Sequence, residues 1–302
     1  VRLMSKAAEY ETVRRYGKPP GQWCVAGLGK FGGQEMTAGS DLDLLVIYDA
    51  VDPSEAQTWF TRFTQRLITA LSAETGEGAL YEVDMRLRPS GRAGPVATSL
   101  SSFNRYHSEN AWTWEHMALT RLRAVAGDKA LGLKVETDAA HHVVAADNAN
   151  ARTTDILSMR ARLHRDKPSK GDWDLKMRNG GLVDLEFIVQ HGLLTNVPTL
   201  ELSLSLRAAI KELGVSGHLD ATQEKSLLDA HGFLSALQQV QRVAIGAQMD
   251  GDNLSDGLID RLCRATECRN FSQLKHRLKA NCSTVSSLFA EKIGALPTDF
   301  GS

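Results

Sequence analysis

The spacing of apolar residues alternates between a helical period and a strand period in the first part of the chain. Apolar residues at helical spacing predict a helix over residues 1–16, and a Gly- and Pro-rich stretch over 17–21 ends it. Short apolar or alternating runs predict β-strands at 23–26, 44–48 and 81–88. The chain therefore begins with a helix and continues into a sheet.

Longer amphipathic stretches predict helices in most of the remaining sequence. One begins at Pro53 and runs to Leu71, and another covers residues 103–124. Beyond residue 128 the pattern is helical apart from a brief extended piece at 173–177, and the predicted helices are 134–151, 154–165, 181–194, 202–213, 219–248, 255–265 and 271–293.

These elements predict a fold of class α+β. An N-terminal helix over residues 1–17 precedes a small domain with a sheet over 18–125, and an all-helical bundle domain follows over 126–302. A chain of 302 residues is long enough to hold two such domains.

Composition and net charge limit the classes of molecule that the chain is expected to bind. The chain is 42% hydrophobic and 24% charged, as is usual for a soluble globular protein. A net charge of −1 argues against nucleic acid or an anionic membrane as a partner. Basic residues such as Arg160, Arg162 and Arg165 are expected on solvated helix faces. No apolar stretch is long enough to span a bilayer, and no N-terminal signal sequence is visible, so we expect a cytoplasmic protein.

The cysteines point to the same compartment. They show no Cys-x-x-Cys spacing, which predicts neither a zinc site nor a disulfide framework but free thiols in a reducing environment: Cys24, Cys263, Cys268 and Cys282. The chain starts at Val1 without an initiator Met, and we expect it to be a piece of a longer protein or a processed one.

Two aspartates stand one residue apart where the second predicted strand begins. Because a strand alternates its side chains, Asp41 and Asp43 point to the same face. Two neighbouring carboxylates repel each other, and a fold tolerates the repulsion when a cation lies between them. The alternative is a pair of solvated acids at a strand end, and the pair alone does not decide between the two.

A glycine-rich stretch lies just upstream, over residues 27–33. Glycines allow close backbone approach and expose N–H groups, which suits phosphate oxygens, and Lys30 adds a positive charge. The stretch matches the dinucleotide fingerprint G-x-G-x-x-G, but residues 34–40 are too few for the crossover helix which that fold requires. The G-x-x-x-x-G-K-[ST] phosphate loop is absent as well. A plain glycine-rich turn is the simpler alternative.

The third predicted strand supplies another acid. Its alternation predicts one face with Val83, Met85 and Leu87, and a second face with Glu82, Asp84, Arg86 and Arg88. If this strand pairs beside the second, Asp84 joins the two other aspartates. Three carboxylates with two arginines suit a metal-bound polyphosphate. Salt bridges on an exposed strand face are the alternative for the arginines.

Several motifs resemble one known family. Gly29-Lys30-x-Gly32-Gly33-x-Glu35 followed by Ser40-Asp41-Leu42-Asp43 resembles the nucleotidyltransferase motif of the DNA polymerase β superfamily. More closely, it is similar to the glutamine synthetase adenylyltransferase (glutamate-ammonia ligase adenylyltransferase) family. The resemblance continues in order through residues 83–91, 109–121, 174–176 and 180–187. Residues 111–121 resemble the C-terminal, adenylylating unit of that family.

The resemblance implies a fold, a chemistry and a set of site residues. It implies a polymerase β-like nucleotidyltransferase domain with a mixed sheet, which transfers AMP from ATP to a tyrosine of glutamine synthetase. The implied catalytic residues, also ligands of two Mg²⁺ ions, are Asp41, Asp43 and Asp84. The implied ATP-binding residues are Gly29, Lys30, Gly32, Gly33, Ser40, Arg86, Arg88 and Lys176. The wider superfamily usually has Gly or Ser at position 30, so only the closer family pattern supports Lys30.

The implied partners are glutamine synthetase, a PII-type signal protein and the deadenylylating unit of the same full-length chain. Three alternatives remain: a unit that removes AMP by phosphorolysis, a nucleotide-binding regulatory module without turnover, and a nucleotidyltransferase acting on RNA or a small molecule. Trp112 and Trp114 are expected in the core rather than on a base, and His116 as a packing residue. Asp184 and Glu186 diverge on a predicted helix, so at most one of them faces a cleft.

Overall fold

The computed structural model describes residues 1–74, 76, 78, 81–144, 149–196, 205–246 and 254–296. The described residues form two compact units. The first consists mainly of residues 1–36 and 40–144, and the second of residues 149–196 and 206–296. None of the described helices is long and apolar enough to cross a lipid bilayer.

The first unit contains a mixed sheet, which confirms the α+β class. Its strands are β1 (Gly21–Gly27), β2 (Leu42–Ala50), β3 (Val83–Asp84), β4 (Ala97–Ser99) and β5 (Arg123–Gly127). The order is β3-β2-β1-β5, and β4 also pairs with β2. β1 runs antiparallel to β2 and β5, whereas β2 runs parallel to β3 and β4.

Helices cover the sheet and supply the aromatic core of the first unit. Trp23 of β1 contacts Phe63 with ring centroids 4.5 Å apart, and Tyr48 of β2 stacks on Phe60 at 4.3 Å. Burying such rings removes a large apolar area from water, and their contacts add directional preference. The helices are α1 (Arg2–Tyr16), α2 (Gly29–Gly32), α3 (Pro53–Leu71), α4 (Leu100–Glu109), α5 (Thr113–Leu119) and α6 (Lys129–Val144).

The outer edge of β5 is covered by side chains from two helices. Arg2 of α1 donates from Nε to the Val125 carbonyl oxygen at 2.9 Å. On α6, a carboxylate oxygen of Glu136 accepts from the Ala124 backbone N–H at 2.7 Å. Two backbone groups that an edge strand would otherwise leave open are therefore satisfied within the unit.

The second unit is a helical bundle, as the sequence predicts. Its core includes Leu182, Leu234, Leu274 and Leu278, all buried. Its described helices are α7 (Ala149–Asp166), α8 (Leu182–Asn196), α9 (Leu206–Val215), α10 (Ala221–Ala244), α11 (Asp256–Ala265) and α12 (Phe271–Lys292).

Three predicted elements differ from the structure. The predicted helix 103–124 is α4, α5 and β5, because pairing with β1 overrides the local helical period of the last segment. The predicted strand 81–88 keeps only the two residues of β3, and 173–177 forms turns. The predicted helix 134–151 overlaps α6 and the start of α7, and its residues 145–148 lie outside the described residues.

The predicted domain boundary at residue 125 stays a prediction, although α6 belongs to the first compact unit. The helix packs on β1 and β5, so the unit extends through residue 144. Parts of the predicted helices 202–213 and 219–248 lie outside the described residues.

Candidate functional site

The start of β2 carries the Asp-x-Asp pair as the strand alternation predicts. Asp41 is exposed just before the strand, Asp43 is half-buried within it, and Leu42 and Leu44 are buried. The Leu28 backbone N–H donates to the Asp43 carbonyl oxygen at 3.0 Å, which brings the end of the glycine turn beside the pair. Asp43 therefore stands at the junction of β2 and the turn after β1.

Gly29 lies so close to this junction that a larger residue would be strained there. Its φ is +51°, a left-handed value that other residues rarely adopt. A Cβ at this position would lie 2.5 Å from Oδ2 of Asp43. The same turn continues as one short helical turn, in which the Gly33 N–H donates to the Gly29 carbonyl oxygen at 3.0 Å. The predicted glycine loop thus lies directly beside a predicted metal ligand.

Residues around β5 hold the other side of the glycine turn. Arg123 donates from Nε to the Gly32 carbonyl oxygen at 2.9 Å and from Nη2 to the Phe31 carbonyl oxygen at 3.0 Å. Arg121 forms an ion pair with Glu35 at 3.5 Å, and its carbonyl oxygen occupies the space that a Cβ on Gly32 would need. The sequence alone predicted no role for Arg121 or Arg123. The available signal was their position at the end of the family-like segment 109–121 and just after it.

Asp84 lies directly beside Asp43, because β2 and β3 pair in parallel. The register sets Asp43 opposite Asp84 and Leu42 opposite Val83, and the Leu42 N–H donates to the Glu82 carbonyl oxygen at 2.7 Å. The pairing of β2 with β3, on which the prediction for Asp84 depends, is therefore present.

Arg86 binds Asp84 and neutralises part of the negative charge of the three aspartates. Its backbone N–H donates to Oδ1 of Asp84 at 2.8 Å and its Nε donates to Oδ2 at 2.7 Å. The hydrogen bond from Arg86 lowers the pKa of Asp84. Asp84 in turn raises the pKa of Arg86, and the charges of Asp41 and Asp43 raise it further. This is the salt bridge that the sequence left open as an alternative.

The three carboxylates do not converge on one point. Within the described ranges, no group of three or more His, Cys, Asp or Glu side chains has the arrangement of a metal site. The Asp84 carboxylate is turned towards Arg86 instead. The acids are therefore neighbours on one sheet edge, and a shared ligand would require Asp84 to turn.

Arg88 is buried and binds the turn on which it stands. It donates to the carbonyl oxygens of Met85 at 2.6 Å, Gly94 at 3.2 Å and Arg92 at 3.4 Å. Burial lowers its pKa. The side chain was expected on an exposed strand face, but the strand ends at Asp84 and the chain turns, so these contacts support a structural role. A phosphate contact for Arg88 stays a prediction.

The remaining predicted site residues lie at separate places. Lys30 and Ser40 are half-buried in the first unit, at the glycine turn and just before Asp41. Lys176 is exposed on a turn of the second unit, where its carbonyl oxygen accepts from the Val183 N–H at 3.2 Å. Their nucleotide contacts stay predictions.

Asp184 has a structural partner that the sequence did not reveal. Its Oδ1 forms a buried ion pair with Nε of Arg160, and its Oδ2 accepts from the Gly180 N–H at 2.5 Å. Arg160 also donates to the Met177 carbonyl oxygen at 3.2 Å. The expectation of a solvated Arg160 was wrong, because the carboxylate 24 residues downstream compensates its buried charge. Arg162 and Arg165 are exposed as expected.

The aromatic residues before and within α5 differ from expectation as well. Trp112 is 71% exposed and Trp114 is 39% exposed, so neither side chain has the core packing that was expected as the commoner arrangement. His116 is a packing residue as predicted: its Nε2 lies 3.0 Å from the His107 carbonyl oxygen.

Comparison with known proteins gives the same family for the segment that carries this site. The family model described as glutamate-ammonia ligase adenylyltransferase matches residues 2–138, and the model described as GlnD PII-uridylyltransferase matches residues 151–293. The first match contains the glycine turn and the three aspartates. The second covers most of the helical unit.

Curated relatives carry the name bifunctional glutamine synthetase adenylyltransferase/adenylyl-removing enzyme. The relative from Agrobacterium fabrum is 40% identical over 90% of this chain, that from Brucella suis 36% over 96%, and that from Mesorhizobium japonicum 39% over 88%. The chain spans 28–30% of the length of these relatives. Residues 2–138 are therefore similar to the glutamate-ammonia ligase adenylyltransferase family.

Proposed function

We propose that the first unit carries an adenylyl-transfer site, which moves AMP from ATP to a tyrosine of glutamine synthetase. The observation that carries the proposal is the side-by-side pairing of Asp43 and Asp84, with Gly29 against the Asp43 carboxylate. The names of relatives at 36–40% identity support the substrate and the acceptor.

The donor set fits Mg²⁺, which prefers carboxylate oxygens. Gly29 leaves free the space beside Oδ2 of Asp43 that the Cβ of any other residue would fill. We assign Asp41, Asp43 and Asp84 as the holders of two Mg²⁺ ions. Bound there, the ions would neutralise phosphate charge and lower the pKa of the acceptor phenol.

Arg86 is the first candidate for a phosphate contact. Its side chain is 62% exposed and is attached beside the acid group, so the guanidinium can turn from Asp84 to a phosphate oxygen without backbone movement. Guanidinium groups bind phosphate oxygens in a bidentate geometry. Lys30 and the backbone of the turn Gly29–Gly33 would face the same phosphates, with Ser40, Arg88 and Lys176 as further predicted contacts.

The transfer is a single exchange at phosphorus. The phenol oxygen of the acceptor bonds to the α-phosphorus of ATP, the bond to pyrophosphate breaks, and the phenol proton passes to solvent. The glycine turn and Arg86 would hold the triphosphate so that the departing pyrophosphate is stabilised.

The direction and the partners are part of the proposal. The relatives are named for both addition and removal of the adenylyl group, and this chain covers less than a third of each. Residues 111–121 resemble the adenylylating unit, so we propose addition here and removal by another unit of a longer chain. We further propose the second unit as the contact for a PII-type protein, since its match is a PII-modifying family. The cytoplasm is the expected compartment.

The test uses labelled ATP, Mg²⁺ and unmodified glutamine synthetase. The wild-type chain should transfer label to a tyrosine, and Asp43→Asn should abolish transfer while leaving the thermal unfolding midpoint unchanged or raised, because one repelling charge is removed. Asp49→Asn is the matched control, since Asp49 is an exposed acid at the other end of the same strand.

Three results would contradict parts of this proposal. Full activity of Asp43→Asn would refute the metal assignment. Label release from adenylylated glutamine synthetase with phosphate, without the forward reaction, would assign the removing activity instead. Mg²⁺-dependent ATP binding without pyrophosphate release would favour a regulatory module.

A further inference from the structure

The end of α11 brings two cysteines of the second unit together. The Cys268 backbone N–H donates to the Cys263 carbonyl oxygen at 2.9 Å, and the Glu267 N–H donates to the Arg264 carbonyl oxygen at 3.3 Å. Glu267 has a φ of +54°, in the left-handed region. Two such bonds around a left-handed residue form a Schellman motif, in which the side chain just past the turn commonly contacts the one five residues before it. In α11 these two side chains are Cys268 and Cys263.

The backbone hydrogen bond limits the separation of the two cysteines. Since covalent bonds of fixed length flank the hydrogen bond, the Cα atoms of Cys263 and Cys268 lie at most about 6.8 Å apart. Disulfide bonds join Cα atoms that are usually about 4.4–6.8 Å apart. Both side chains also belong to one apolar cluster, together with Leu262 and Leu274. A bond between the two sulfurs therefore needs no large backbone movement.

The pair is less deeply buried than the other cysteines of the chain. All four cysteines are free thiols. Cys263 and Cys268 are 7% and 8% exposed, whereas Cys24 is 0% exposed and Cys282 is 3% exposed. A small oxidant that approaches from solvent therefore meets the pair before it meets the other two thiols.

A guanidinium lies against one sulfur of the pair. Nη1 of Arg277 donates to Sγ of Cys268 at 3.7 Å and to the Thr266 carbonyl oxygen at 2.6 Å. A positive donor stabilises the negative charge on a sulfur that attacks an oxidant. Burial raises the pKa of the Cys263 thiol, and the neighbouring Cys268 raises it further. These contacts favour Cys268 as the sulfur that attacks first and Cys263 as the one that follows.

We propose that Cys263 and Cys268 are a site of reversible oxidation, at which hydrogen peroxide closes a disulfide across the end of α11. The Cys268 thiolate attacks one peroxide oxygen, the O–O bond breaks, and a sulfenic acid forms while hydroxide leaves as water. The Cys263 sulfur then displaces the sulfenic hydroxyl as a second water and forms the S–S bond. The two thiols lose two electrons and two protons, and one peroxide becomes two waters. A dithiol reductant restores both thiols by thiol–disulfide exchange.

Peptide mapping of the whole chain tests the bond directly. The chain is treated with hydrogen peroxide, its remaining thiols are blocked in denaturant, and it is digested with trypsin, which cuts after Arg264 between the two cysteines. Peptides 262–264 and 265–269 should appear joined by a disulfide, and dithiothreitol should separate them. Cys24 and Cys282 should be recovered as blocked thiols at the same dose of peroxide.

Two single substitutions test the order of attack. Cys263→Ala should leave Cys268 as a sulfenic acid that a dimedone probe labels, because no second sulfur displaces the hydroxyl. Cys268→Ala should react with peroxide about tenfold more slowly than wild type, since the sulfur beside the Arg277 guanidinium is gone.

Glu267 offers a matched pair of variants for the geometry. Its side chain is exposed, so a substitution there leaves the apolar cluster intact. Glu267→Gly keeps the left-handed conformation and should close the disulfide at the wild-type rate. Glu267→Val opposes that conformation, because β-branched residues avoid it, and should slow closure several-fold. Circular dichroism checks that both variants fold, and the wild-type peptide map decides the inference where one does not.

Three results would overturn the inference. One is that Cys263 and Cys268 stay reduced at a dose of peroxide that oxidises free glutathione. Another is oxidation of Cys24 or Cys282 at the same rate as the pair. The third is an equal rate of closure in folded Glu267→Gly and Glu267→Val. None of these measurements uses AMP transfer, so their outcome is independent of the proposed function.

Discussion

The buried ion pair between Arg160 and Asp184 gives the sharpest stability prediction. Arg160 and Asp184 are 0% and 1% exposed, and Asp184 lies in a segment with a family-like sequence. The change to make is Asp184→Ala. It leaves the guanidinium of Arg160 buried without a carboxylate and leaves the Gly180 N–H without its acceptor.

The expected cost is large because the charge left behind cannot reach water. Removing one partner of a buried pair costs about 3–5 kcal/mol. For a unit of this size, that free energy lowers the unfolding midpoint by roughly 10 °C. Asp166→Ala is the control, since Asp166 pairs with Arg165 at 2.9 Å but both side chains are more than half exposed. Its cost should be about 0–1 kcal/mol.

The assay is urea denaturation of each variant, read together with AMP transfer. Replacing both partners by apolar residues, Arg160→Met with Asp184→Leu, should recover most of the lost free energy, since the uncompensated charge is gone. A stable Asp184→Ala variant without AMP transfer would refute the structural role and make Asp184 part of the chemistry.

Two further predictions concern the first unit. Gly29→Ala should abolish AMP transfer and destabilise the fold, because the φ of Gly29 is left-handed and the new Cβ would meet the Asp43 carboxylate. Gly232→Ala is the control, since a Cβ at Gly232 meets open space. In circular-dichroism melts it should not lower the unfolding midpoint. Burial lowers the pKa of His107 to about 3, helped by His116 and His142. His107 therefore binds a proton more readily in the unfolded chain than in the folded one. The free energy of unfolding is highest above pH 6.5 and decreases as the pH falls towards 3, and the loss is about 2 kcal/mol at pH 5. Denaturant titrations at pH 7 and pH 5 measure this slope, and His107→Leu should remove it.

Local signals predicted several elements well. The prediction for α3 has the same bounds as the structure, because Pro53 stands at the first helical position and the Asp52 side chain accepts from the backbone N–H groups of Ser54 and Glu55. The alternation around Asp41 and Asp43 likewise follows from strand geometry alone. Such features depend on neighbours within a few residues, which the sequence displays directly.

Features that depend on distant partners were not predictable in this way. β5 looks like the end of a helix until β1 pairs with it. Arg160 looks like a surface residue until Asp184 approaches from the next helix. Arg88 follows an alternating pattern, yet the chain turns after Asp84 and buries it. In each case tertiary contacts outweigh a local preference worth a few tenths of a kcal/mol.

The covered edge of β5 bears on how copies of the chain behave at high concentration. An open edge strand is a template on which a second sheet can grow, and this is a common route to aggregates. Here the Arg2 guanidinium donates to the Val125 carbonyl oxygen, and the Glu136 carboxylate accepts from the Ala124 N–H. A second strand would have to displace both charged groups before it could pair, so the two side chains act as a barrier to self-templating along this edge.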